Sequence, residues 1–153
     1  MAYRNIVTEG DSILKKKSRK IEKIDDRTKT LIDDMKETMY KNDGVGLAAV
    51  QVGVLKQLFI VDIGEGIFIF INPEIEKVSG ECLDNEGCLS FPGKTYQVRR
   101  PEKIKVKALN ENGEEFELEA EGLFARAICH ENDHLNGIVF LDRVKMEDQD
   151  EER

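Results

Sequence analysis

The chain has 153 residues, 40% hydrophobic and 35% charged, with three prolines, twelve glycines and no tryptophan. That length suits one domain and that composition a folded core, while collagen-like and low-complexity readings fail. The formal charge of −8 excludes a general nucleic-acid-binding surface, which needs concentrated positive charge. No apolar run approaches the roughly 20 residues of a membrane span, and Met1 to Gly10 lack the apolar stretch of a secretory signal. These features predict a single cytoplasmic domain over residues 1–153, with no DNA or membrane partner.

In chain order, the first forty residues read as helical and charged. Asp25 or Asp26 can cap a helix along which Leu31, Met35 and Met39 form an apolar stripe. Asn42-Asp43-Gly44 supplies its stop. The middle reads as strands. Gln57–Ile63 and Ile67–Ile71 flank Gly64-Glu65-Gly66 as one hairpin. Ile104, Val106 and Ala108 alternate with lysines, and Phe116, Leu118 and Ala120 with glutamates, giving a second hairpin with one wet face. From Gly122 the pattern is helical again, ending at Asn136-Gly137. Lys145 to Arg153 are charged throughout and read as a frayed tail. The predicted class is α+β, antiparallel strands and hairpins packed around a helix in the C-terminal half.

That helix carries the chemistry. His130 and His134 are the only histidines, and they frame His130-Glu131-Asn132-Asp133-His134, an H-E-x-x-H pattern. Residues four apart on a helix share a face, so both imidazoles can reach one metal ion. At about 100° per residue, Leu123, Phe124, Ala127, Ile128, Glu131 and Leu135 share the histidine face. Arg126, Cys129, Asn132 and Asp133 fall on the other side. Glu131 is therefore a carboxylate on an apolar face, costly unless something partners it.

A metallohydrolase needs a third protein ligand and one open position. The metzincin pattern would place a histidine where Phe140 stands, and the downstream glutamates Glu147, Glu151 and Glu152 lie in the charged tail. The third ligand is thus sought upstream. Cys88, between turn signals, is the leading candidate. Cys82 has a weaker context, and Cys129 points away from the histidines. The three cysteines are too few and too odd in number for a disulfide framework.

Gly44-Val45-Gly46-Leu47-Ala48-Ala49-Val50-Gln51, Glu86-Gly87-Cys88-Leu89-Ser90 and His130-Glu131-Asn132-Asp133-His134, in that order, resemble the three signature motifs of the peptide deformylase family. The resemblance runs from about Ile6 to Val144. It implies a hydrolase that removes the N-formyl group from the formylmethionine of new polypeptides and releases formate. It further implies Cys88, His130 and His134 as metal ligands and Glu131 as general base. Gln51 and the Leu89 N–H would form the oxyanion hole, and Val45, Gly46 and Leu47 would border the substrate. One divalent ion is implied, Fe2+ in the cell, replaceable by Zn2+, Ni2+ or Co2+; a thiolate among the ligands suits Fe2+ as well as Zn2+. Partners would be formylmethionyl nascent peptides and the ribosome near its exit tunnel.

Departures from the family pattern are expected to matter locally. Cys129 stands where many members have glutamine, as an added oxidation site. Thr95 stands where some carry a substrate-contacting arginine. Two readings compete with this one, an endopeptidase cutting internal bonds and a catalytically silent binding module. The missing downstream ligand counts against the first, and intact Glu131, Gln51 and Cys88 against the second.

Overall fold

The computed structural model describes residues 2–144; the tail expected to fray at 145–153 lies outside them. The helix α1 spans Asp26–Lys41. The strands are β1 (Gly46–Ala48), β2 (Leu58–Val61), β3 (Phe68–Gly87), β4 (Thr95–Leu109) and β5 (Glu115–Glu121), and α2 covers Gly122–Leu135. The five strands form one sheet in sequence order, every neighbour antiparallel. Among the described residues, no helix is long and apolar enough to cross a membrane.

Alternation along β2 decides the layering. Leu58 and Ile60 face Leu31, Ile32, Met35 and Met39 of α1. Phe59 and Val61, one residue out of phase, face Ala125, Ile128 and Leu135 of α2. Successive strand residues point to opposite faces, so a continuous apolar run implies cover on both sides. The sheet is clasped between the two helices here. Asp25 caps α1 by accepting the Thr28 N–H at 3.0 Å, and the chain leaves the helix through Asp43 at φ 55.

Three differences from the sequence reading have physical causes. Residues 2–25 are not α-helical: they hold one short 3-10 turn, Ser12–Lys15, and an isolated bridge from Arg19 to Lys56, and are otherwise irregular. Asn72 pins them, its side-chain oxygen and nitrogen each 2.8 Å from the Ile21 backbone. Secondly, β3 and β4 are far longer than the predicted hairpins and pair from Ile71↔Leu109 to Gly87↔Thr95. Charged residues along Glu74–Glu86 hide that arm from a periodicity search. Finally, α2 is buried on nearly all sides. Arg126 and Asp133, on the predicted polar side, are buried, whereas Leu123, on the predicted apolar face, is 57% exposed.

The β4–β5 hairpin has the expected register, Ile104↔Ala120, Val106↔Leu118 and Ala108↔Phe116. Its wet face carries Lys105–Glu117 and Lys103–Glu119 pairs, each worth little in solvent.

Candidate active site

The β3–β4 arm delivers the middle motif. β3 ends at Gly87, and Cys88 follows at once in a turn closed by the Phe91 N–H to Cys88 C=O bond of 2.9 Å. Beneath it Phe91, Val98, Val139, Phe140 and Leu14 form a small core of their own. This seat brings the Cys88 Sγ to 3.4 Å from His134 Nε2.

Cys88, His130 and His134 each offer a ligand atom, all within 4.8 Å of one another. A tetrahedral ion with bonds of about 2.0–2.3 Å separates its ligands by about 3.3–3.8 Å, so small adjustments seat one. Among the described residues these three are the group able to hold a metal. Cys82 lies on β3 opposite Arg100, and Cys129 is buried with its thiol pushed up to about 11 by desolvation. Buried thiols held neutral react slowly, which counts against an added oxidation site at Cys129.

The histidines differ electrically. His134 is held well below its ordinary range by burial and by the charges of His130 and Arg100. It presents the neutral imidazole a metal needs. Burial also disfavours charge on His130, but Glu131, Cys88 and Glu86 outweigh it and push the ring up to about 10. A divalent ion must displace that proton, so binding releases it.

Glu131 is 4% exposed, and its Oε1 is buried with no hydrogen-bond partner among the described residues. Burial pushes its carboxyl up to about 7. An unpartnered oxygen beside a Cys–His–His donor set fits an ion with a water on it, and the donor chemistry fits a borderline-soft divalent metal.

Gln51, 1% exposed, is held at both ends. Its Oε1 accepts the Ala48 N–H at 2.9 Å. Its Nε2 lies 3.1 Å from Ser90 Oγ and 3.6 Å from Cys88 Sγ. The side-chain amide therefore points at the cysteine. No acceptor for the Leu89 N–H is found among the described residues. These elements border a cleft of about 610 Å³ whose walls include Val45, Gly46, Leu89, Leu123, Ala127 and Glu131. Val45 is 47% exposed, whereas the Leu47 side chain is fully buried beside α1. Leu47 could thus meet a substrate only through its backbone.

A profile of the polypeptide deformylase family matches residues 3–150. The chain belongs to the polypeptide deformylase family. A peptide deformylase from Clostridium botulinum is 66% identical over 144 residues, covering 94% of this chain and 98% of that protein. The crystal structure of peptide deformylase from Thermotoga maritima superposes with a TM-score of 0.90 at 46% identity, covering 94% of this chain and 97% of the other. A peptide deformylase from Synechococcus elongatus in complex with actinonin gives 0.89 at 44%, covering 92% and 78%. The deformylases are metal-dependent hydrolases that remove the N-formyl group from nascent polypeptides, and this chain is an enzyme of that class.

Sequence reasoning missed the charged network behind the candidate metal site. Glu86 Oε1 lies 2.8 Å from His130 Nδ1. The Arg100 guanidinium clasps both Glu86 oxygens at 2.8 and 2.9 Å, and Arg126 adds a bond of 2.6 Å. Arg126 also donates to the carbonyls of Val98 and Cys82, both at 2.8 Å. Burial would raise the Glu86 carboxyl, but bonds from Arg100 and His130 bring it down to about 2. The sign follows: Glu86 stabilises the fold above the ordinary carboxylate range, and that stability is lost as pH falls towards about 2. The signal for these partners was a run of charged residues with no period.

Gly46 has a reason the sequence did not suggest. A Cβ there would lie 2.6 Å from Glu131 Oε2 and 3.0 Å from its Cγ. Glu131 is buried, and its side chain could yield only by shifting within the cleft it borders. Gly46→Ala should therefore displace the carboxylate and lower kcat, on the order of 10²-fold for a shift near 1 Å, with metal content unchanged. Parallel kcat and metal determinations check this; wild-type turnover in the variant would show that Glu131 has slack.

Proposed function

We propose that residues 1–153 form one catalytic domain in which Cys88, His130 and His134 hold a single divalent ion, Fe2+ in the cytoplasm. The observation that carries this reading is the convergence of one sulfur and two ring nitrogens within 4.8 Å beside the unpartnered Glu131 Oε1. When bound, the ion supplies Lewis acidity for a carbonyl and acidifies a water.

The chain's own residues do the rest. The formylated end of a peptide enters the cleft with its backbone along Val45–Gly46, beside β1, which among the described residues pairs only with β2. Gln51 Nε2 and the Leu89 N–H donate to the formyl oxygen as charge develops on it. Glu131 takes the proton of the attacking water and returns it to the departing amine. Gln51 needs no rearrangement to do this, because Ala48 and Ser90 already fix its amide. Val45, Leu123 and Ala127 offer an apolar wall to the methionine side chain, and Leu47 lies beneath. Among partners, formylmethionyl chains leaving the ribosome supply the substrate, and docking near the exit tunnel would shorten the search for it.

The discriminating experiment compares formate release from formyl-Met-Ala-Ser with hydrolysis of acetyl-Met-Ala-Ser by the iron-loaded protein. The formyl peptide should turn over and the acetyl peptide should be far poorer, because the added methyl crowds the carbonyl between Gln51 and Leu89. Efficient cleavage of internal bonds in an unformylated peptide would favour an endopeptidase instead.

A further inference from the structure

The network behind His130 does not stop at Glu86. Arg100 Nη1 reaches Asp133 Oδ2 at 2.5 Å, and Arg143, beyond the end of α2, clasps the same carboxylate at 2.7 and 2.9 Å. Glu86, Arg100 and Asp133 are all buried. Only Arg143 is substantially exposed, at 39% of its side chain. One chain of charge-assisted bonds thus runs from a surface arginine through Asp133, Arg100 and Glu86 to the ring nitrogen of His130.

Resting on the metal-site reading above, we propose that Asp133 and Arg143 are positioning residues for the bound ion, acting on His130 through Arg100 and Glu86. Each link is geometrically restrictive. Arg100 has a planar fork, and with both Glu86 oxygens and Asp133 engaged the guanidinium can take few orientations. That fixes the plane of the Glu86 carboxylate, and Glu86 Oε1 in turn fixes the tautomer and rotation of His130, leaving Nε2 towards Cys88 and His134. Partners that orient a ligating histidine typically change metal affinity 10–100-fold when lost. Arg143 holds the far end. Without it, Asp133 would have Arg100 as its sole ion-pair partner among the described residues and could draw the fork away from Glu86.

A buried ion network is weak evidence for stability by itself, so the test must separate positioning from folding. Cobalt-loaded protein provides two readouts besides turnover: the visible absorption of the ion and its release rate into excess chelator. Arg143→Ala should speed release severalfold and alter the absorption, and Asp133→Asn should do so by about 10-fold or more. Arg143→Lys keeps the charge but not the two-pronged clasp and should recover only part of the loss. The sign of the Arg143→Ala effect is decisive, because removing a distant positive charge would by field alone slow the loss of a dication. Lys15→Ala breaks a different tie to the same segment, the Lys15–Asp142 pair, and should leave release unchanged.

Several results would overturn the relay. Unchanged or slower release from Arg143→Ala, with unaltered absorption, is one. An effect of Lys15→Ala equal to that of Arg143→Ala is another, since docking of the segment would then suffice. A fall in the melting temperature of the metal-free variants without change in release would make the network structural only. If Asp133→Asn does not fold, the surface-accessible Arg143 variants still decide the matter. Failure of the unaltered protein to bind cobalt stoichiometrically would overturn the metal-site reading itself, whereas stoichiometric binding with unchanged release removes only the relay.

Discussion

Glu131→Gln should leave the metal in place and lower turnover by at least about 10²-fold, the scale of a lost general base. The amide matches the carboxylate in shape and fits the same buried slot against Gly46, so the surrounding helix face need not move. What it loses is the ability to accept a proton. The carboxyl is pushed up to about 7 by burial, close to working pH, where one group can both take a proton and give it back. Its Oε1 has no partner among the described residues, so the substitution breaks no internal hydrogen bond at that atom. Metal content and kcat measured on one preparation decide the outcome. Loss of metal in step with activity would make Glu131 a ligand or a structural group.

Cys88→Ala, His130→Ala and His134→Ala should each lose stoichiometric metal and with it nearly all activity. Two remaining ligands cannot close a tetrahedral site, and no other cysteine is placed to substitute. Cys82 sits across β3–β4 from Arg100, with its carbonyl committed to Arg126. Cys129 is a neutral buried thiol. Cys82→Ala and Cys129→Ala should accordingly keep the ion. Elemental analysis of anaerobically purified variants is the measurement, and full metal in Cys88→Ala would sink the proposed site. The loss at His130 carries a second component, because Glu86 would lose one of the groups that hold its carboxyl low.

The parts legible in the sequence are those whose cause is local. Leu31, Met35 and Met39 recur with the helical period, and all three are buried against the sheet. Ile104, Val106 and Ala108 alternate with lysines and pair with Ala120, Leu118 and Phe116 as the pattern requires. Two histidines four apart must share a helix face, so two of the three candidate donors could be read from spacing alone. Glu131 between them could be recognised as anomalous because a bare carboxylate on an apolar face is costly.

Tertiary structure decided what depends on distant chain segments. Which cysteine joins the histidines follows from the β3–β4 pairing that carries Cys88 across to α2, 46 residues away from His134. The charged stretch along β3 has no period of its own and becomes strand only because β4 pairs with it. Glu86, Arg100, Arg126, Asp133 and Arg143 look in the sequence like ordinary surface charges. Folding withdraws four of them from water, and only their mutual pairing makes that tolerable. A helical wheel assigns Arg126 and Asp133 to solvent because it knows a residue's angle and not what stands opposite. Local periodicity determines which face a side chain takes, but burial and partnership belong to whatever the rest of the chain brings to that face.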